Sequence, residues 1–229
     1  MRQTNLARIG LAVITIVISG CEAATPTSSA EPGARPGAVG AGGAGASVGS
    51  DDDFVADVVM KNMAEIALAR IALDNSTNPD VRSFAQRLID DHGAAGTRLK
   101  SVVSGSPIEW PTQLAEKHGE TADALAGKRG PEFDREYLQA TINGHQDLAA
   151  KLESRIDVQS LTDWKTAAAA RTQSKAMPEP TTAMRDTAVR PDNSGNESTM
   201  KINQWAADAY PVVQKHLDTA RTLENAAKQ

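Results

Sequence analysis

The chain has 229 residues, of which 40% are hydrophobic, 3% aromatic and 23% charged, and its formal net charge is −5. This length allows one domain with a well-buried core, and the low aromatic content favours a helical protein over a β-sandwich or barrel. The negative charge argues against a nucleic-acid-binding protein, which would need a basic face to neutralise phosphates. The single cysteine excludes an internal disulfide and a thiolate-rich zinc site.

The first twenty residues have the features of an export signal. Arg2 and Arg8 precede a short apolar run, which is too short to cross a bilayer core of about 30 Å. The run ends in Ile18-Ser19-Gly20-Cys21, which resembles the lipobox of bacterial lipoproteins. The alternative is an ordinary secretory signal with a chance cysteine. The resemblance implies a signal peptide over residues 1–20, a lipid on Cys21 and a membrane partner reached through that lipid.

Residues 21–50 are interpreted as the lipidated cysteine followed by a flexible tether. The segment 22–50 is rich in alanine, glycine, proline and serine and contains no aromatic residue, so it cannot order itself by burying side chains. The residue after the cysteine is Glu22. In some Gram-negative bacteria, lipoproteins without aspartate at this position are sorted to the outer membrane, and the resemblance implies the same destination here. The predicted location is therefore the cell envelope, with the protein anchored in the outer membrane and facing the periplasm.

Residues 51–229 are predicted to form one all-α domain. Three aspartates at residues 51–53 place negative charge at a helix start, where the helix dipole favours it. Asn78 is a suitable N-cap and Pro79 suits the first position of the next helix. The apolar periodicity and the breaking residues predict helices over residues 51–73, 79–103, 112–126, 131–156, 160–173 and 199–227.

Four of these predicted helices are long, and most connections between them are short, which indicates an antiparallel four-helix bundle with an extra short helix. Residues 174–200 contain several prolines and no aromatic residue, so we expect a long, mobile, disordered insertion before the last helix. Pro211 lies inside the last helix and predicts a kink there or a break at Tyr210.

Three of the four histidines lie on the apolar seams of three predicted helices: His92, His145 and His216. Each lies about 14–17 residues after its helix start, and Glu65 is at a similar distance in the first helix. At 1.5 Å per residue, all four lie about 20–25 Å along their helices, near one level. Three imidazoles and a carboxylate would form a coordination shell for a divalent metal such as zinc, iron or copper. The alternative is a buried hydrogen-bonded cluster, or histidines at different levels.

The bridging carboxylates of a two-iron enzyme are absent from the predicted seams. Such bundles use Glu-x-x-His pairs, whereas here the residues three positions before the histidines are Ile89, Ile142 and Val213. We therefore predict a binding protein rather than an enzyme, and a ferritin-like redox activity is disfavoured.

Three polar residues near the seams receive a different interpretation. Asp91 adjoins His92 but points about 100° away around the helix. His118 belongs to a short predicted helix that is rich in polar residues. Asp134 lies in the charged first turn of the predicted helix 131–156. We therefore expect both side chains to be exposed to solvent.

Four segments together resemble a bacterial domain family of unknown function, labelled predicted outer-membrane protein and classed as ferritin-like. The best match is the segment Val81–His92, with its Phe-Ala-Gln core and Asp-His ending. The others are Phe54-Val55 with Glu65–Leu68, Glu132–Tyr137 with His145 behind it, and Pro211 followed by His216-Leu217.

The resemblance covers about residues 54–165 and 201–225. It implies a ferritin-like bundle in the cell envelope, and it marks Glu65, His92, His145 and His216 as candidate site residues. The chain departs from the family pattern at Asn62, where the family tends to have glycine, and at the insertion 174–200.

Two functions remain open at this stage. The first is a membrane-anchored envelope lipoprotein whose bundle core binds a divalent metal. The second is a structural or stress-related interaction module without a metal, whose protein partner the sequence does not identify.

Overall fold

The computed structural model of the protein describes residues 50–173 and 189–228. The predicted signal peptide, Cys21 and the tether up to residue 49 lie outside these residues, as do residues 174–188 of the predicted insertion. Among the helices that are described, none combines the length and the hydropathy needed to cross a membrane.

The described residues form an all-α bundle, as predicted, and they contain no strand. The six helices are α1 (Asp51–Asn75), α2 (Pro79–Val102), α3 (Glu116–Ala126), α4 (Gly130–Glu153), α5 (Val158–Gln173) and α6 (Glu197–Ala226). The four long helices form the bundle, in which α1 and α6 each pack against both α2 and α4. The short helix α3 covers α1 and α4 at one side.

Side-chain caps fix the start of three of the long helices. The Asn78 side chain accepts hydrogen bonds from the backbone N–H groups of Asp80 and Val81, as the sequence predicts for an N-cap before proline. Ser50 caps α1 in the same way. Asn196 caps α6, so this helix begins at Glu197, two residues before the predicted start.

Two expectations about the region before and within α6 differ from the structure. Of the two outcomes predicted at Pro211, a kink or a break, the break at Tyr210 is wrong, because α6 continues through Pro211 to Ala226. Residues 189–196, predicted to be mobile, are held in place by contacts. The backbone N–H of Asp157 donates to the carbonyl of Arg190, and that of Asp192 donates to the carbonyl of Arg155.

The bundle core consists of two apolar clusters with a polar layer between them. One cluster contains Phe54, Leu152 and Tyr210, among others, and the second contains Leu88 and Tyr137. The residues that lie between the clusters along the four long helices are Glu65, His92, His145 and His216, all of them buried. The prediction that these four residues share one level is therefore confirmed.

Candidate metal centre

The three buried histidines meet at one point in the polar layer. The Nε2 atom of His145 lies 3.3 Å from Nε2 of His92 and 3.4 Å from Nδ1 of His216. All three nitrogen atoms lie within 4.8 Å of one another. Their helices α2, α4 and α6 thus bring together the three imidazoles that were predicted as metal ligands.

The outer nitrogen of His92 is held by Asn62 of α1. The Nδ1 atom of His92 lies 2.7 Å from Oδ1 of Asn62. The amide nitrogen of Asn62 donates to the backbone carbonyl of His92 over 2.8 Å, which directs the amide oxygen towards the ring. An amide oxygen only accepts hydrogen bonds, so the ring proton is on Nδ1 and the Nε2 lone pair faces the shared point.

The outer nitrogens of the other two rings also face acceptors. Nδ1 of His145 donates to the carbonyl oxygen of Thr141 over 2.9 Å. Nε2 of His216 lies 2.8 Å from Oδ2 of Asp91 and donates to that carboxylate. In the neutral form of each ring, the partner fixes the tautomer, which leaves a lone pair on Nε2 of His145 and on Nδ1 of His216.

In the neutral form of the three rings, three lone pairs therefore point into one small volume. Lone pairs at 3.3–3.4 Å repel one another in a buried site unless a metal ion or a proton lies between them. Hydrogen bonds from the outer ring nitrogens to carboxylates and carbonyls are the typical support of histidines that ligate metals. The three histidines therefore form a group that can hold a metal ion.

Burial keeps two of the rings neutral. Burial and the neighbouring imidazoles lower the pKa of His92 well below its ordinary value. Burial also lowers the pKa of His216, although its hydrogen bond to Asp91 offsets part of the effect. Burial acts on His145 in the same direction, but the carboxylate of Glu65 and the Thr141 carbonyl outweigh it and raise the pKa of His145. His92 and His216 are thus in the unprotonated form that binds metals near neutral pH.

Glu65 lies behind His145 rather than at the shared point. Its Oε1 atom is 3.3 Å from Nδ1 of His145, the ring nitrogen that faces away from the other two histidines. The group of converging ligand atoms consists of the three histidines without Glu65. The structure therefore places the predicted fourth ligand as a charged support for His145.

Gly144 leaves the space that the Glu65 carboxylate occupies. A Cβ atom at residue 144 would overlap Oε1 of Glu65. The absence of a side chain at this position of α4 therefore lets the carboxylate reach the ring of His145, the next residue in the chain.

One supporting residue, Asn62, was not predicted, and two residues, Asp91 and Asp134, lie elsewhere than predicted. Asp91 was expected to point away from the site, but it crosses the α2–α6 interface to reach His216. Asn62 lies one turn before Glu65 on α1, a spacing that places both on one helix face and could have indicated its role. Asp134 is buried, at 5% exposure, instead of solvated. It lies seven residues before Thr141 and so continues the buried seam of α4 by one heptad.

His118 lies outside the cluster, as expected, but is half-buried rather than exposed. It lines a separate cavity together with Lys61 and Glu65, on the side of α1 that faces α3. Burial lowers the pKa of His118.

Comparisons with known proteins identify a family but no characterised relative. No curated protein matches the chain significantly, and no solved structure does so either. One family model matches residues 37–179, which include His92 and His145, while His216 lies beyond the matched segment. Because that match spans more than half of the chain, the protein belongs to the family described as the domain of unknown function DUF4142.

Proposed function

We propose that this protein binds one divalent transition metal ion through Nε2 of His92, Nε2 of His145 and Nδ1 of His216. The observation that carries the proposal is the convergence of these three atoms, each with its lone pair directed inward by a hydrogen bond on the opposite side of its ring.

Two of the three separations between the ring nitrogens match those around a tetrahedral ion, and the third is within 4.8 Å. Two nitrogens bound at 2.0–2.1 Å to a tetrahedral zinc ion lie about 3.3–3.4 Å apart. The separations of His145 from His92 and from His216 are 3.3 Å and 3.4 Å. Three imidazoles without a thiolate or a directly coordinating carboxylate suit zinc and copper, and among these the tetrahedral spacing favours zinc.

The charges around the cluster support a divalent ion. A buried cation must be compensated by nearby negative charge. Two carboxylates stand behind the rings, that of Glu65 against His145 and that of Asp91 against His216. With neutral imidazoles, two negative charges balance one divalent ion.

Calorimetric titration of the whole chain tests the proposal. After treatment with a chelator, the protein should bind one zinc ion per chain, and His92→Ala, His145→Ala and His216→Ala should each abolish tight binding. His118→Ala is the matched control, because His118 is the one remaining histidine of the chain and lies outside the cluster. Equal zinc binding by the wild type and the three cluster variants would contradict the proposal. That result would favour the interaction module without a metal.

We also propose that the domain is tethered to the cell envelope by a lipid on Cys21, with the metal site held at the periplasmic side of the outer membrane. The lipobox-like segment that ends in Cys21 and the tether-like composition that follows support this location. In membrane fractionation, Cys21→Ser should move the protein to the soluble fraction, while Ser19→Ala should leave it in the membrane. Retention of the Cys21→Ser variant in the membrane would contradict the proposal.

The metal would be bound without redox turnover. The positions three residues before the cluster histidines are Ile89, Ile142 and Val213, so the carboxylates that bridge a two-iron centre in ferritin-like enzymes are missing. With added ferrous iron, we expect oxygen consumption no faster than in buffer. Consumption that depends on His145 would instead indicate a redox enzyme.

A further inference from the structure

A cavity of about 200 Å³ adjoins the histidine cluster. Two of the three imidazoles line it, those of His92 and His216. Most of its remaining wall is apolar and includes Leu148, Leu152 and Trp205, which belong to the core cluster on that side of the polar layer. The cavity therefore connects the space beside the cluster with an apolar interior.

Three histidines leave a tetrahedral ion with one free coordination position. Zinc sites with three protein ligands keep the fourth position for water or another small ligand. On the opposite side, Nδ1 of His145 is covered by the Thr141 carbonyl and the Glu65 carboxylate, and the cavity beyond Glu65 is lined by none of the three imidazoles. The geometry therefore points the free position towards the cavity.

The lining indicates the chemistry of a ligand that would fit. Its two charged residues, Asp91 and Arg98, carry opposite charges; Asp91 is already bonded to His216, and Arg98 is exposed to solvent, which screens its charge. Neither a cation nor an anion is therefore selected. A cavity of about 150 Å³ lined by apolar side chains holds a benzene molecule, so the present volume suits a body slightly larger than one aromatic ring.

We propose that the cavity admits a neutral small molecule of about six to ten non-hydrogen atoms, whose single nitrogen or sulfur donor completes the coordination of the ion. Its apolar body would lie against Leu148, Leu152 and Trp205. This inference rests on the proposed function, since it requires the metal ion at the three histidines.

The test uses the whole chain loaded with Co²⁺, whose visible absorption reports a change of ligand. The probes are imidazole and 4-isopropylimidazole, which share the donor atom and differ in apolar body. We expect both to change the cobalt spectrum, and 4-isopropylimidazole to bind at least about tenfold more tightly because its alkyl group is buried.

A larger side chain in the cavity wall should exclude the probe, and the same substitution at an exposed position serves as the control. Ala209→Leu adds three carbon atoms to the cavity wall, where Ala209 is buried. The variant should keep its affinity for Co²⁺ and lose at least about tenfold in affinity for 4-isopropylimidazole. Ala226→Leu makes the same change at an exposed position near the end of α6 and should alter neither affinity. If Ala209→Leu does not fold, Val212→Trp serves instead, because Val212 also lines the cavity and is 38% exposed.

The outcomes separate the two proposals. Cobalt binding without any spectral response to the probes would overturn the present inference and leave the metal site intact. Equal affinities for the two probes, or a response that the filled variants retain, would also overturn it, because the ligand would then not occupy this cavity. Failure to bind cobalt at all would contradict the proposed function itself.

Discussion

His216 donates a hydrogen bond from Nε2 to Oδ2 of Asp91 over 2.8 Å, across the interface between α6 and α2. Asp91 directly precedes His92, so a single turn of α2 supplies one proposed ligand and also orients a ligand from another helix. The relationship determines which nitrogen of His216 faces the cluster, and it brings a negative charge close to the proposed ion.

Removal of the Asp91 carboxylate should weaken metal binding, although Asp91 is not itself a proposed ligand. Loss of an outer hydrogen-bond partner lowers metal affinity by about 10–100-fold, so we expect Asp91→Ala to fall in this range for zinc. Asp90→Ala is the control, because it deletes the neighbouring, exposed carboxylate of the same helix. Calorimetric titration measures both affinities, and equal values for the two variants would show that the His216–Asp91 bond does not support the site.

Gly144→Ala should destabilise the protein by forcing Glu65 away from His145. The added Cβ would overlap Oε1 of Glu65, and overpacking of this kind costs about 1–3 kcal/mol in the free energy of unfolding. Gly93→Ala is the matched change in α2, where a Cβ meets nothing within 4 Å. That variant should be stabilised by about 0.5–1 kcal/mol, as expected for alanine in a helix.

A double variant identifies the cause of this loss. In a Glu65→Ala background the carboxylate is gone, so Gly144→Ala should lose most of its destabilising effect when unfolding in denaturant is measured. The same loss of stability in both backgrounds would place the clash elsewhere.

The metal-free protein should become less stable as the pH falls from 7.5 towards 5. The pKa values of His92 and His216 are lowered in the folded state, so the unfolded chain binds these protons first. The stability linked to each residue is then complete above the unfolded pKa of about 6.5 and decreases below it, by up to about 1.4 kcal/mol per pH unit and group. His145 acts in the opposite direction, because its raised pKa gives stability at low pH that is lost as the pH rises through the folded value.

Urea unfolding in the presence of a chelator, repeated across this pH range, measures the effect. The pKa values of two histidines are lowered and that of one is raised, and the pKa of His92 lies well below its ordinary value, so we expect stability to rise with pH overall. His92→Asn should flatten it, whereas His118→Asn tests how much the half-buried fourth histidine contributes. A His92→Asn profile as steep as that of the wild type would contradict the assignment.

Helical periodicity and residue counting predicted the level of the four polar residues because both depend only on regular helix geometry. The rise per residue places Glu65, His92, His145 and His216 at similar depths, and the seams turn them inward. Neither the periodicity nor the rise per residue gives the distance between neighbouring helices. For this reason Glu65 was assigned to the shared point, although its carboxylate reaches only the outer nitrogen of His145.

The hydrogen bond between Asp91 and His216 could not be predicted because it depends on how α2 and α6 face one another. Asp91 points away from the seam of its own helix, yet the neighbouring α6 lies on that side. Asp134 is buried because the buried seam of α4 extends one heptad before Thr141, into the polar first turn of the helix. The contacts of residues 189–196 involve the end of α4 and the start of α5, which no local pattern in the segment indicates.

Arg155 should contribute to stability without affecting the metal site. Its side chain is buried and lies 2.5 Å from Oδ1 of Asp51, and the guanidinium also lies over the ring of Phe54. Removal of one partner of a buried ion pair costs up to about 3–5 kcal/mol, and because the Asp51 side chain is 26% exposed we expect Arg155→Met to lose about 2–4 kcal/mol. Arg190→Met removes an exposed pair with Asp157 and should cost less than about 1 kcal/mol. Unfolding in denaturant distinguishes the two variants, and a similar loss in both would show that the Arg155–Asp51 pair does not hold the ends of α1 and α4 together.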